Sequence, residues 1–276
     1  MSYLPLDPQL RSRPSVSIVL PALDEEANIA RAIAEATAAA ERFFDDHEII
    51  VVDDGSRDRT AELARAAADR DPRVRVISHG RNQGYGSALR TGFRASRLDF
   101  VFFTDADLQF DVAEIARLLP FAGLVDVVAG YRLNRQDPLH RRLMAGGWNL
   151  LARLLFHIPV RDVNCAFKLF DRRVLHEIEI DSDGYLVSAE LMIKLSRSGA
   201  SVVEVGVHHR PRLAGNAHAS SPRGMLKVLA ELARMRSLLR ELDGDDRLAA
   251  LVRLRAQADA ARGSARARRS ESGGRG

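Results

Sequence analysis

The chain runs to 276 residues, 46% apolar, 28% charged and 6% aromatic, a composition that supports one large core and excludes disorder along the whole length. No stretch reaches the roughly 18 apolar residues that cross a bilayer, the opening MSYLPLDPQLRSRPS lacks the apolar centre of a secretory signal, and a single cysteine, Cys165, excludes an intramolecular disulfide and a thiolate metal cluster, so a reducing, cytoplasmic setting is expected. Net charge is +4, yet eight arginines from Arg247 onward face only Asp259 and Glu271, which concentrates +6 in the tail and leaves about −2 for everything before it.

In chain order, residues 1–14 form an N-terminal arm, and β-branched or aromatic runs then recur at 16–20, 48–52, 74–77, 99–103 and 125–129. Between the first two, EEANIARAIAEATAAAERFF reads as an amphipathic helix with Asp24 placed to cap its first turn; between the second and third, TAELARAAADR is introduced by Asp58. This alternation predicts βαβ units and an open, mostly parallel α/β sheet flanked by helices. After Gly130 the pattern changes to a long helix over 139–156, whose apolar stretch 148–160 carries Arg153 and His157 and is buried or interfacial. DVNCAFKLF, a helix over 186–197 and a strand over 202–207 follow, so the second half reads as a lid on the sheet. Residues 15–221 are expected to form one domain with halves 15–130 and 131–221. Over 222–245, apolar residues at helical spacing are interleaved with Lys227, Arg234, Arg236 and Arg240, a basic amphipathic C-terminal helix that either covers the domain edge or lies on a membrane. The Ala/Arg/Gly/Ser tail, 246–276, reads as partly disordered and solvated, with anionic lipid headgroups as its other partner. No aromatic side chain interleaves with its arginines to stack on bases, so nucleic acid is not expected.

In open α/β sheets ligands bind beyond the carboxyl ends of the strands. There the sequence places PALDEE after the first strand, DDGSRDRT after the second and TDADLQF after the fourth. Carboxylates crowded on one rim repel one another and raise each other's pKa values unless a cation joins them. Asp105, Asp107 and Gln109, each two residues apart, leave an extended chain on one side, so three oxygen donors are expected to converge. Such donors suit Mg²⁺ or Mn²⁺ with water and phosphate oxygens completing the shell; the competing role is a strand end that caps a following helix through Asp111. In HGRNQGYGSALRTGF, Gly84 and Gly86 either bring backbone amides close to an anion or let a helix pack closely on the sheet. A dinucleotide fingerprint is excluded, because the third glycine is missing and the segment follows the third strand.

Taken together, PALDEEANI, VVDDGSRDRT, RNQGYGSALRTGF and TDADLQF, in this order, resemble the donor-binding half of the inverting glycosyltransferases of family 2, and within it the polyprenyl-phosphate hexose synthase branch that includes dolichyl-phosphate mannose synthase. The resemblance covers roughly residues 15–215 and implies a GT-A fold that binds a nucleotide-sugar donor. It implies that Pro21, Glu25, Asp53 and Asp54 lie along the donor, Glu25 and Asp53 at its base and ribose, with Gly84 and Gly86 nearby. Asp105, Ala106, Asp107 and Gln109 match the family's D-A-D-x-Q, which holds the divalent ion against the diphosphate. Gly130-Tyr131-Arg132 resembles the family's G-S-R, DVNCAFKLF its D-x-x-x-G-F, and HHRPRLAGNAH its R-x-x-G-x-S, with Arg212 and Gly215 matched. Leu23, Asp24, Asn216 and His218 depart from the family pattern, which bears on donor-base preference and acceptor contacts.

By the same resemblance, Asp162 is implied near the acceptor, Glu190 is supplied by AELMIK, and Arg132 and Arg212 are the supplementary cations for the leaving diphosphate. A lipid monophosphate acceptor, a polyprenyl phosphate, needs no general base; a soluble saccharide or small-molecule hydroxyl does, and Asp162 or Glu190 is then the candidate, each with a cap or salt-bridge role as its alternative. Arg141 and Arg142 are either a grip on a lipid phosphate or an exposed helix face. Peripheral contact with the inner face of the cell membrane follows from a lipid acceptor, and a non-catalytic nucleotide-sugar-binding protein is the reading of a different class. Cys165 is assigned to packing, since inversion needs no enzyme nucleophile.

Overall fold

A computed structural model of the protein describes residues 14–133, 160–184 and 186–211. The expected helices over 139–156 and 222–245, the tail, and Arg141, Arg142, Arg212, Gly215, Asn216 and His218 lie outside the described residues. The five sequence runs become β1 (Ser15–Ala22), β2 (Asp46–Asp53), β3 (Val74–Ser78), β4 (Phe100–Thr104) and β5 (Val127–Leu133). Two further strands, β6 (Phe167–Asp171) and β7 (Val202–His208), complete a seven-stranded sheet in the order β3-β2-β1-β4-β6-β5-β7. β1 and β2 read SVSIVLPA and DHEIIVVD and are buried on both faces beyond their first residue or two, the pattern of strands covered by helices on each side.

Helices α1 (Ile29–Phe43) and α2 (Thr60–Ala68) follow β1 and β2 and touch each other, whereas α3 (Tyr85–Ala95) connects β3 to β4 across the sheet. Right-handed crossovers then put α3 on the opposite face, because the strand order reverses after β3. Gly92 lets α3 lie close: a Cβ there would come within 2.3 Å of Val19 Cγ1. Short α4 (Arg172–His176) and α5 (Val187–Arg197) pack with α3. Phe102, Phe103, Phe167 and Phe170 are fully buried where β4 meets β6, with Phe102 and Phe167 edge to face at 4.7 Å. Among the described residues no helix is long and apolar enough to cross a membrane.

Two expectations change. The segment after Gly130 is no separate lid: β5 runs through residue 130, and β6 and β7 belong to the same sheet, β6 antiparallel to both β4 and β5. Nor does Asp24 cap α1, which starts at Ile29 with no side-chain cap. Asp24 sits at φ +53° and its Oδ1 accepts from the Arg57 N–H at 2.8 Å, joining the two loops that follow β1 and β2. Asp58 does introduce α2, accepting from the Thr60 N–H at 2.9 Å.

Candidate active site

The order β3-β2-β1-β4 places the switch between β1 and β4, and the acidic segments lie at the carboxyl ends of the strands around it. Buried Pro21 pairs with Val52, and Ala22 with Asp53, the last residue of β2. The Asp53 carboxylate accepts from the Ser56 N–H at 3.1 Å. Glu25 is also buried; its Oε2 accepts from Asn28 Nδ2 at 2.6 Å and its N–H donates to Thr60 Oγ1 at 2.8 Å. Asp54 turns to the neighbouring loop, where its two oxygens accept from the Gln83 and Gly84 N–H groups at 2.9 and 2.8 Å and meet His79 Nδ1 at 2.7 Å. Asp54 thus ties the β3–α3 loop to β2.

After Thr104 the chain turns, with Leu108 at φ +60°, so the alternation of an extended strand does not describe Asp105, Asp107 and Gln109. Asp105 and buried Asp107 share the turn around Ala106; Asp107 Oδ1 accepts from the Gln109 N–H at 3.1 Å. The Gln109 side-chain amide donates instead to the Arg210 carbonyl at 3.3 Å. Asp111 does cap, accepting from the Ala113 N–H at 3.1 Å at the start of a 3₁₀ segment, Val112–Arg117. Among the described residues no three His, Cys, Asp or Glu side chains form a group able to hold a metal. Mg²⁺ and Mn²⁺ take one or two carboxylates and fill their shell with water and phosphate oxygens, so this pair of hard donors fits an ion shared with a diphosphate.

Sequence reading passed over Tyr85, first residue of α3, although it stands between the two glycines it singled out. Its hydroxyl donates to Asp105 Oδ1 at 2.8 Å. Burial, then the charge and hydrogen bond of Asp105 and the charge of Asp107, hold the phenol well above its usual 10. Gly84 and Gly86 direct their N–H groups at Asp54 Oδ2 and at the Asp183 carbonyl, both at 2.8 Å. A Cβ at either would stand 2.3 Å from the Asp183 O or 2.0 Å from the Ser182 O. The close approach these glycines permit is therefore that of the 181–183 backbone, and their amides are engaged within the protein.

That backbone is fixed in turn by Glu190 of α5, whose side chain is 0% exposed. Its two oxygens accept from the Asp181 and Ser182 N–H groups at 2.8 Å each, and Lys194 Nζ lies 2.7 Å from Oε1. Of its alternative roles, the structure gives Glu190 the salt bridge. On the other side of the rim, Arg132 of β5 grips Asp162 in a fork, Nε to Oδ2 at 2.6 Å and Nη2 to Oδ1 at 2.7 Å. Lys168 of β6, 1% exposed, was also missed; its ammonium donates to the Val163 carbonyl at 3.0 Å and to the Cys165 carbonyl. It holds the turn that begins at Asp162. Burial pulls its pKa down, opposed by nearby Asp162, while burial and the Asp162 charge push the Cys165 thiol up to about 12, so that it stays protonated.

Residues 17–179 match the family model described as glycosyl transferase family 2. The chain is 35% identical over 214 residues to the undecaprenyl-phosphate 4-deoxy-4-formamido-L-arabinose transferase of Pseudomonas fluorescens (strain SBW25), covering 75% of this chain and 61% of that protein. To the enzyme of the same name from Yersinia pestis (strain Pestoides F) it is 34% identical over 207 residues, covering 74% and 62%. The chain thus spans about three fifths of the length of these curated relatives. Glucosyl-3-phosphoglycerate synthase of Mycobacterium tuberculosis, solved with Mn²⁺, UDP and glucosyl-3-phosphoglycerate, superimposes with a TM-score of 0.59 at 25% identity, covering 74% of this chain and 73% of that one. With its family model matched over more than half its length and this likeness in its sheet, the chain belongs to glycosyl transferase family 2 and has the GT-A fold.

Proposed function

We propose that this chain is a metal-dependent, inverting hexosyltransferase that uses a nucleotide-sugar of the GDP-mannose or UDP-glucose type and a polyprenyl phosphate acceptor. The observation that carries this reading is the set of carboxylates at the β1/β4 switch: Asp53 closing β2, with Asp105 and Asp107 in the turn after β4. The relatives' undecaprenyl-phosphate acceptor and the Mn²⁺ and UDP of the solved neighbour support it. Glu25 and Asp53 would bind the nucleoside, and Asp105 and Asp107 would hold Mg²⁺ or Mn²⁺ against the diphosphate. When bound, the ion neutralises charge growing on the departing diphosphate, an effect worth several kcal/mol in a site shielded from water. Arg132, whose fork orients Asp162, would serve as a supplementary cation for the leaving diphosphate.

The state of the acceptor-side acids favours a phosphate acceptor. A phosphate monoester loses its second proton near pH 6, so its attacking oxygen is anionic at neutral pH and needs no base. Glu190 is fully buried on two amides and Lys194, and Asp162 is held by both arms of Arg132, so both carboxylates are engaged within the protein. A lipid acceptor would bring the chain peripherally to the inner face of the cell membrane. The product in the solved neighbour favours a second reading, transfer to a small-molecule hydroxyl, in which Asp162 must leave Arg132 to act as base.

The test incubates the chain and Mn²⁺ with a panel of nucleotide-sugars, with and without polyprenyl phosphate in vesicles. Nucleoside diphosphate released only with the lipid is the expected result. Release that needs 3-phosphoglycerate or a free sugar selects the second reading, and donor binding without turnover on any acceptor contradicts both.

A further inference from the structure

We propose that Tyr85 is a positioning residue for Asp105, setting from the first turn of α3 how tightly the rim holds its divalent ion. This rests on the donor and cation reading above and deepens it. Asp105 sits where the chain leaves β4 for a turn. The Tyr85 hydroxyl donates to its Oδ1 at 2.8 Å, occupying one lone pair and restraining the carboxylate plane. Outer-shell hydrogen bonds to ligating carboxylates act in this way, and their loss costs about 10- to 100-fold in metal affinity.

Tyr85 is itself held rigidly. On one side the Gly84 N–H is bound to Asp54 Oδ2, and on the other the Gly86 N–H to the Asp183 carbonyl. Contacts too close for any Cβ at the two glycines prevent the turn from sliding past residues 182–183. Those residues adjoin the amides of Asp181 and Ser182, anchored on buried Glu190. A continuous chain of bonded groups thus runs from the acceptor-side helix α5 through α3 to Asp105.

Tyr85→Phe removes one oxygen and keeps the ring. Mn²⁺ is titrated calorimetrically into the full chain saturated with UDP or GDP, and binding of the same nucleotide is measured without metal. The expected result is Mn²⁺ affinity about 10-fold weaker or more, with metal-free nucleotide affinity and melting temperature unchanged. Equal Mn²⁺ affinity in the two proteins overturns the proposal. Parallel loss of metal-free nucleotide affinity and thermal stability also overturns it, since that marks a purely structural residue. If the unmutated chain retains nucleotide but takes up no Mn²⁺, the cation reading fails; if it retains neither, the donor reading fails as well. Should the variant not fold, 3-fluorotyrosine at position 85 in the otherwise unmutated chain serves: Mn²⁺ with nucleotide should broaden its fluorine resonance, and an unbroadened signal overturns the proposal.

Discussion

Asp162 and Arg132 meet through two short parallel hydrogen bonds, with side chains only 8% and 13% exposed. Truncating one partner removes both bonds of a buried ion pair, a loss that typically costs 3–5 kcal/mol. Asp162→Ala is therefore expected to lower unfolding stability by about 3 kcal/mol in denaturant melts, besides its effect on turnover; a change within 0.5 kcal/mol, roughly the noise of surface substitutions, would contradict the closed pair. Asp107 is different in kind. Its Oδ1 accepts from the Gln109 backbone N–H at 3.1 Å within its own turn, and the expected loss in Asp107→Ala is one of turnover, with the melting temperature measured alongside. Turnover with Mn²⁺ should fall by about 10²- to 10³-fold, the usual consequence of losing one transition-state charge stabiliser, as followed by nucleoside diphosphate release. The rim carboxylates were legible in the sequence because each directly follows an apolar run. Their commitments were not: Asp54 is engaged by residues about 30 positions away, a pairing no local pattern encodes.

The first turn of α3 and the 180–184 segment are held by backbone contacts, so small changes there should be felt across the element. Gly86→Ala puts a Cβ 2.0 Å from the Ser182 carbonyl, a backbone atom that cannot swing aside. We expect a loss of about 1–3 kcal/mol, the range for overpacking, and faster hydrogen exchange at the Asp181 and Ser182 amides that Glu190 protects. Unchanged exchange at those amides would show that the two segments are not mechanically joined. Elements built on long, uniform runs were readable from sequence: β1 to β5, α1, α2, α5 and β7 all form close to their expected places. β6 was not. It has five residues with Lys168 at its second position, and a lysine inside an apolar run reads as an exposed position. In the fold its ammonium is satisfied by two carbonyls of the preceding turn and lies 5.6 Å from the Phe103 ring centroid. Missing β6 turned the second half into an apparent lid, since without an antiparallel strand beside β4 nothing extends the sheet to β5 and β7.

Across the whole molecule, the carboxylate rim occupies one end of the strands, and His47 lies near the other end, at the second position of β2, paired with Val16. It is 6% exposed, and its Nε2 is buried with no hydrogen-bond partner among the described residues. Burial first, and the Arg73 charge second, lower its pKa below 6.5, while Glu41, Asp71 and Asp46 oppose them. The folded state therefore binds this proton less tightly than the unfolded chain does. Its contribution to stability is complete above pH 6.5 and is lost as pH falls through that value toward the lower folded-state pKa. Unfolding free energy from denaturant melts should be smaller at pH 5.5 than at pH 7.5, and His47→Gln should flatten part of that fall; identical pH slopes in the two proteins would contradict the assignment. Because His47 is remote from the rim, the same variant separates two causes of acid inactivation. Activity that it restores below pH 6.5 was lost through the fold, and activity that it leaves unrestored was lost at the carboxylates or at the acceptor phosphate, whose second proton returns near pH 6.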